Sequence, residues 1–128
     1  MEGITEGVNN MSVSAETQKK NRIQVSNTKK SLFFYVNLSK RYMQQYNEVE
    51  LSALGMAIST VVTIAEILKN NGFAVEKKIR TLTVDMRDEP GARPIPKAKI
   101  EVVLGKTQKF DELMAAEAKQ NGDNEEQN

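Results

Sequence analysis

The chain has 128 residues, a net charge of +1, and no cysteine, histidine or tryptophan. This length suits a single domain whose core needs neither a disulfide nor a metal. The missing residue types exclude disulfide scaffolds, thiol nucleophiles, zinc fingers and histidine-based acid–base catalysis. Since no apolar run approaches the roughly 18 residues of a membrane span and no signal-like segment begins the chain, we expect a soluble intracellular protein.

The charges are unevenly distributed along the chain. Residues 1–18 carry three acidic residues and no basic one, and residues 110–128 carry six acidic residues and one basic one. Residues 19–109 hold the other 17 basic residues against eight acidic ones. A basic segment between acidic ends indicates a polyanionic partner for that segment, although a modest positive excess also occurs in unrelated proteins.

The first 18 residues are rich in Asn, Ser, Gly and Glu and show no periodicity, which predicts a disordered acidic segment. Next, Arg22–Asn27 alternates, with Ile23 and Val25 facing one way, as in a half-buried strand. From Leu32 the spacing changes to three and four residues, which predicts a helix, with Lys40 mostly outside its apolar stripe. That stripe consists of Leu32, Tyr35, Val36, Ser39, Tyr42, Met43 and Tyr46.

A second strand and a second helix follow. Glu48–Ala53 alternates again, with Val49 and Leu51 facing inward. The segment Met56–Asn71 is apolar around most of its circumference, and Gly72 follows as a left-handed cap, so we predict a largely buried helix. Its polar strip consists of Ser59, Thr63, Glu66 and Asn70.

Two long alternating segments predict a β-hairpin. The second of them alternates from Ala98 to Leu104, and Pro90 with Gly91 between them suits a type II turn. Pro94 and Pro96 cannot donate to a ladder, so the last strand begins at an edge or beyond the sheet. The apolar residues of the first segment are Leu82, Val84 and Met86.

The order strand, helix, strand, helix, strand, strand predicts an α/β fold of the α+β type. We expect a four-stranded mixed sheet with two helices on one face and an extended hairpin. Hairpin arms of five or six residues beyond the sheet reach roughly 17 to 20 Å, which is enough to enter a nucleic-acid groove. The tail 110–128 is predicted as acidic and polar, with at most a short helix at Phe110–Lys119.

Lys29 and Lys30 stand at the predicted start of the first helix, where the dipole disfavours cations. An anion there meets free N–H groups and two ammonium groups, which together form a phosphate site. Lys19, Lys20 and Arg22 extend this basic patch along the chain. The alternative is a solvated loop whose charges have no role.

The hairpin carries a second set of basic residues, together with the acidic Asp85, Asp88 and Glu89. Lys97 and Lys99 lie on the face opposite Ala98 and Ile100, so they are not core residues. They either contact a nucleic-acid groove or block association of sheet edges. The basic residues of the hairpin are Arg80, Arg87, Arg93, Lys97 and Lys99.

Exposed aromatic rings would suit single-strand binding, and five aromatic residues lie on or beside the first helix. Tyr35 and Tyr42 fit the core better, whereas Phe33 and Phe34 point away from the centre of the stripe and suit an exposed contact or a subunit interface. The segment Gly105-Lys106-Thr107 lacks the first glycine of a P-loop. The remaining acidic residues are expected to be solvated, which leaves no candidate catalytic site.

Three features follow one another along residues 20–107: a lysine pair before the first helix, a glycine before the second, and the long final hairpin. The corresponding segments are Thr28-Lys29-Lys30 and Leu54-Gly55-Met56-Ala57-Ile58-Ser59, with the second helix continuing to Ala65-Glu66-Ile67-Leu68. This ordered set resembles the Alba family of small DNA- and RNA-binding proteins of archaea and eukaryotes. The short chain without Arg-Gly-Gly repeats is similar to the compact plant-type members.

The resemblance implies a fold like the C-terminal domain of bacterial translation initiation factor 3, and dimers that place two hairpins at the edges of the nucleic acid with little sequence preference. Lys29 and Lys30 match the family's lysine pair, which contacts the sugar-phosphate backbone. The first lysine can be acetylated, which would remove one charge from the site. Gly55 matches the family's glycine, but Leu54 and Met56 stand where archaeal members carry arginines, which shifts weight to the lysine pair and the hairpin.

We therefore predict a non-enzymatic protein of chromatin, nucleus and cytoplasm that binds DNA, RNA or DNA–RNA hybrids as a homodimer or as a heterodimer with a related chain. No cofactor, metal, membrane or small-molecule substrate is expected. The alternatives are a protein-interaction module that recognises an acidic partner, and an RNA-scaffold subunit of a ribonuclease P-like complex. The predicted nucleic-acid-binding residues are Lys29, Lys30, Arg22, Arg87, Arg93, Lys97 and Lys99.

Overall fold

The computed structural model describes residues 20–26, 30–87 and 89–127, with side chains described as far as residue 120. The predicted disordered segment 1–18 lies outside the described residues. A short 3₁₀ turn, Gly55–Ala57, precedes the second helix. In chain order the elements are β1 Arg22–Gln24, α1 Leu32–Tyr46, β2 Glu48–Leu54, α2 Ile58–Asn70, β3 Ala74–Met86, β4 Ile95–Lys106 and α3 Phe110–Gln127.

The four strands form one mixed sheet in the order β1-β2-β4-β3. Strands β1 and β2 are parallel, and β4 is antiparallel to both of its neighbours. This confirms the predicted α+β fold with a four-stranded mixed sheet. The chain adds a third helix, α3, where the sequence predicted at most a short one.

The core lies between one face of the sheet and helices α1 and α2. Met43, Val61, Ile64 and Leu68 of the two helices are fully buried and pack against alternate residues of the strands. Alternation places the remaining strand side chains on the other face, here called the open face. The buried apolar residues of the strands are Ile23, Val49, Leu51, Ala53, Ala74, Ile100, Val102 and Leu104, and Val25, directly after β1, is buried as well.

The start of α1 and the end of α2 lie where the sequence predicts them, whereas α2 begins two residues later than predicted. Ser31 is the N-cap of α1, and its hydroxyl accepts a hydrogen bond from Phe34 N at 3.2 Å. At the end of α2, Gly72 has a φ of 87°, and Phe73 N donates to Leu68 O at 3.0 Å. The predicted left-handed glycine after this helix is therefore confirmed.

The hairpin of β3 and β4 extends past the end of β2. The last pair between β2 and β4 is Leu54 with Lys99, whereas β3 and β4 remain paired as far as Met86 and Ile95. Residues 83–98, here called the arm, therefore extend four paired residues beyond the sheet, about 13 Å at the rise of a strand. The expected five or six residues are therefore one or two too many.

The tip of the arm has the predicted turn. Ala92 N donates to Glu89 O at 3.0 Å, and Gly91 has a φ of 84°, as the third residue of a type II turn requires. Pro96 pairs with Asp85 in the part of β4 that has passed the end of β2. The predicted edge position of this proline is therefore confirmed.

Helix α3 packs at the opposite end of the sheet from the arm. Phe110, its first residue, is fully buried, and its ring centroid lies 5.9 Å from that of Phe73. Lys40 is also buried, with Nζ 2.9 Å from Glu117 and 4.2 Å from the Phe73 ring centroid. The prediction that Lys40 lies outside the packed stripe is wrong, because α3 covers it.

Candidate nucleic-acid interface

Three segments meet at one end of the sheet because of the strand directions. The parallel strands β1 and β2 both end there, so Ser26 and the turn Gly55–Ala57 lie at that end, together with Lys30, which lines a cavity with Ser26. Strand β4 is antiparallel to β2 and begins there, and the arm projects from the same end. The two candidate basic regions of the sequence are therefore on one end of the molecule.

Lys30 is exposed and lies immediately before the N-cap of α1. No carboxylate of the described residues lies within ion-pair distance of its ammonium group, and the first turn of α1 contains no acidic side chain. Its Nζ lies 5.1 Å from the ring centroid of Phe34. A cation in this position is available to an anion. The neighbouring Lys29 lies outside the described residues.

A cavity of about 310 Å³ separates Lys30 from the beginning of α2. Ser59, Thr60 and Thr63 line it from α2, and Ser26 and Leu32 complete the lining. The hydroxyls of Ser59 and Thr63 donate within the chain, to Met56 O at 3.4 Å and to Ser59 O at 2.9 Å. This leaves the Thr60 hydroxyl as the donor for a phosphate in the cavity that Lys30 also lines. These hydroxyls were not predicted as site residues from the sequence, although the polar strip of α2 already contained two of them.

The arm carries three exposed basic side chains. Arg87, Arg93 and Lys97 form no ion pair with any described carboxylate. Lys97 lines a cleft of about 540 Å³ between the arm and the turn Leu54–Ala57. The exposed carboxylates Asp85 and Glu89 reduce the positive charge near the tip. Arg87 and Arg93 lie at the tip and Lys97 lies nearer the base, so the cations are spread along the arm.

Two predicted site residues are engaged on the open face instead. Arg22 Nη2 donates to Glu101 Oε2 at 3.0 Å, and Arg22 Nε lies 3.2 Å from Glu50 Oε2. Lys99 Nζ lies 3.5 Å from the same oxygen of Glu101. Only 22% of the Arg22 side chain is exposed. The structure thus brings Lys30, Arg87, Arg93 and Lys97 to one end, and commits Arg22 and Lys99 to carboxylates.

The turn after β2 is apolar at its surface. Met56 is 83% exposed, Leu54 is half-buried, and Gly55 has a φ of 53°. Backbone in this left-handed region favours glycine, which explains why the turn uses it. No arginine stands here, so the turn offers phosphate contacts only through its main chain.

None of the helices in the described part of the chain is long and apolar enough to cross a membrane. The fold and this end of the molecule define a small α+β protein with a projecting basic ribbon beside a basic helix start. The sequence profile of the Alba family matches residues 21–85. The chain belongs to the Alba family, whose members are generally non-enzymatic nucleic-acid-binding proteins.

One relative and two solved structures are similar to most of the chain, and the two structures are of Alba proteins. The protein named "Uncharacterized protein At2g34160" from Arabidopsis thaliana is 71% identical over 127 residues, covering 99% of this chain and 98% of the relative. The crystal structure of ALBA1 from Trypanosoma brucei is similar with a TM-score of 0.63 and 31% identity, covering 84% of this chain and 91% of that one. Alba from Thermoplasma volcanium gives a TM-score of 0.59 and 26% identity, covering 67% and 100%.

Proposed function

We propose that this protein binds DNA, RNA or DNA–RNA hybrids through their sugar-phosphate backbone, with little sequence specificity and without catalysis. The observation that carries this proposal is the position of Lys30. Its ammonium group has no acidic partner among the described residues. The residue lines a cavity together with Ser59, Thr60 and Thr63 of α2, at the end of the sheet from which the arm projects.

The chemistry of this end favours contacts to phosphate. Lys30, Lys29 beside it in sequence, and the arm residues Arg87, Arg93 and Lys97 supply cations, and every nucleotide sequence offers them the same phosphate groups. Phosphate contacts orient a protein on nucleic acid without reading bases. Each phosphate neutralised also releases counterions, so the affinity falls steeply with salt.

An exposed apolar surface supports the proposal of a dimer. Val62 of α2 and Ile79 of β3 are 51% and 50% exposed, and they border a cavity of about 200 Å³ that Ala65, Ile100 and Val102 also line. The polar residues around this apolar centre are Glu66, Lys69, Asn70 and Glu76. Two copies of such a patch related by a two-fold axis cover each other. We propose that this surface joins two copies, or this chain and a related chain, so that two arms flank one nucleic acid.

Regulation and location are part of the same proposal. Acetylation of Lys29 would remove one positive charge beside Lys30 and weaken phosphate binding. A protein that contacts backbone of either nucleic acid would act on chromatin in the nucleus and on RNA in the cytoplasm.

Crosslinking in cells followed by sequencing of the attached nucleic acid tests this function. We expect DNA, RNA or both to be recovered without a shared sequence motif. A pull-down with and without nuclease distinguishes this function from that of a protein-interaction module, because protein partners held through nucleic acid are lost when the nucleic acid is digested. The proposal would be contradicted if no nucleic acid is crosslinked and all protein partners survive nuclease digestion. Recovery of a single structured RNA would favour a scaffold role in a ribonuclease P-like complex.

A further inference from the structure

A groove runs along the side of α1 next to β1, and it is separate from the cavity between Lys30 and α2. Its volume is about 480 Å³. Phe34, Leu38 and Tyr42 line it from α1, each one helical turn after the previous one. The rest of its lining consists of Arg22, Ile23, Gln24, Ser26, Lys30 and Tyr35.

The aromatic rings of the groove differ in how much of their surface is exposed. Tyr35 is buried, and its hydroxyl accepts from Ser26 N at 3.1 Å and donates to Ser26 O at 3.2 Å. Phe34 is 37% exposed, and Tyr42 is half-buried. Tyr35 therefore forms part of the fixed wall, whereas the rings of Phe34 and Tyr42 have surface that a ligand can cover.

We propose that this groove binds single-stranded nucleic acid by stacking bases on Phe34 and Tyr42 while Lys30 contacts the phosphates. This inference rests on the proposed function and adds a site for unpaired bases to it. Base stacking on aromatic rings is tolerant of sequence because every base has a π-face. Eight residues of α-helix separate the two rings, about 12 Å along the axis, so they would contact different nucleotides of one strand.

The charges of the groove favour a nucleic acid over other occupants. Its lining contains no acidic side chain and two basic ones, of which Arg22 is paired with Glu50 and Glu101, so Lys30 is the cation that the groove offers to a ligand. Lys30 lines both this groove and the cavity facing α2, so a strand in the groove is continuous with the proposed phosphate site. Lys30 Nζ lies 5.1 Å from the Phe34 ring centroid, a distance that places a phosphate contact next to a stacked base.

Duplex and single strand should therefore use this end of the protein differently. In a duplex the base faces are stacked on one another, so only phosphates reach the protein at Lys30 and the arm. In a single strand the faces are free and reach the rings. The groove adds affinity for unpaired strands only.

The test uses a double variant that carries both Phe34→Leu and Tyr42→Leu, and the single variant Tyr46→Leu is its control. Leucine keeps an apolar side chain but removes the stacking surface, and Tyr46 lies beside Tyr42, with ring centroids 6.0 Å apart, but does not line the groove. Binding of fluorescein-labelled oligouridine and of a duplex DNA is measured by anisotropy. We expect the double variant to bind oligouridine about tenfold or more weakly and the duplex unchanged, whereas Tyr46→Leu binds both as the parent does.

Tyrosine fluorescence provides a second readout that does not depend on the stability of a variant. The chain contains three tyrosines and no tryptophan, so the emission of the parent protein comes from tyrosine alone. Oligouridine stacked on Tyr42 should quench this emission. Inorganic polyphosphate, which has the charge without the bases, should compete for Lys30 without quenching.

The outcomes separate this inference from the proposed function. If the parent binds duplex and oligouridine but the double variant keeps its full affinity for both, the groove proposal is overturned and the backbone-binding function stands. Equal losses for duplex and single strand, or quenching by polyphosphate, also overturn the groove. If the double variant binds oligouridine as the parent does but no longer retains a protein partner that survives nuclease treatment in a pull-down, the groove is a peptide-binding site and the proposal is overturned. If the parent binds no nucleic acid, the proposed function fails.

Discussion

Arg22 reaches from β1 across β2 and donates to Glu101 of β4 at 3.0 Å. Glu50 of the intervening strand is 3.2 Å from the same guanidinium, and Arg80 approaches Glu101 from β3 with Nε at 3.7 Å. One carboxylate on the open face thus links residues of three strands. This arrangement gives Arg22 a structural role that competes with its predicted role in phosphate binding.

Substitution of Arg22 with methionine should destabilise the fold more than it weakens nucleic-acid binding. The change leaves the nearly buried Glu50 and the partly exposed Glu101 without their shared partner. We expect the free energy of unfolding, measured by urea denaturation, to fall by about 1–2 kcal/mol, which lies between the values for surface and buried ion pairs. Arg22→Lys, the matched control, should keep part of the stability. An unchanged midpoint with a strongly reduced duplex affinity would instead make Arg22 a binding residue.

Exchange of both Lys29 and Lys30 for glutamate should weaken binding to unrelated sequences alike. The variant neutralises two fewer phosphates, so the plot of log affinity against log salt should become shallower, by about 0.9 for each of these phosphates on B-DNA. Anisotropy titrations over a salt series measure both effects.

A double variant with Arg41→Glu and Lys119→Glu is the charge-matched control, because both side chains are exposed and neither lies at a helix start or on the arm. Arg41 lies ten residues after the N-cap of α1, and Lys119 lies in α3. Its salt slope should equal that of the parent. Identical reductions of affinity in the two double variants would show that only net charge matters, and the assignment of the site to Lys30 would then be wrong.

Substitution of Val62 with glutamate should convert the proposed dimer to monomers. The carboxylate would be placed beside Ile79, where burial in an interface is unfavourable, because Lys69, the cation that lines this cavity, is already paired with Glu76 at 3.0 Å. Sedimentation or light scattering measures the mass. Phe33→Glu is the control, since Phe33 is also an exposed apolar residue but lies on α1 outside this surface. If only Phe33→Glu dissociates the dimer, the interface lies on α1.

Truncation of the tail should be tolerated after Lys119 but not after Lys109. The longer truncation removes Phe110, which is fully buried against Phe73, and uncovers Lys40. Loss of a buried phenylalanine side chain alone costs about 3–5 kcal/mol, so we expect a large fall in the thermal midpoint. A chain ending at Lys119 keeps Phe110 in place and retains Glu117. A stable, cooperatively folded chain ending at Lys109 would contradict the role of α3.

The elements of this fold were predictable because their signals are local. The alternation around Val49 and Leu51, the glycine after α2, and the Pro90–Gly91 turn depend on residues adjacent in sequence, and the structure confirms each. The position of Lys30 before the N-cap follows from the same kind of signal. Even the short length of the arm differs from the expectation by only one or two residues.

Register across the hairpin was not predictable in this way. Leu82 and Val84 pair with Lys99 and Lys97, so their side chains lie on the open face, whereas Ala98 pairs with Thr83 on the face of the helices. The two apolar stripes of the hairpin therefore lie on opposite faces. The register in which β3 pairs with β4 determines which face each stripe occupies, and a shift of this register by one residue would put both stripes on the same face.

The amino-acid sequence by itself determined the four strands and the helices α1 and α2, and that a basic middle segment carries lysines at a helix start, but not the full length of α3. Only the tertiary structure decided which cations remain available. It pairs Arg22 with Glu101, 79 positions away, and covers Lys40 with α3, while Lys30 has no carboxylate partner among the described residues. The reason is physical. Secondary structure depends on neighbours in the chain, whereas the partner of a charged side chain depends on strand order and packing, which bring distant residues within a few ångströms.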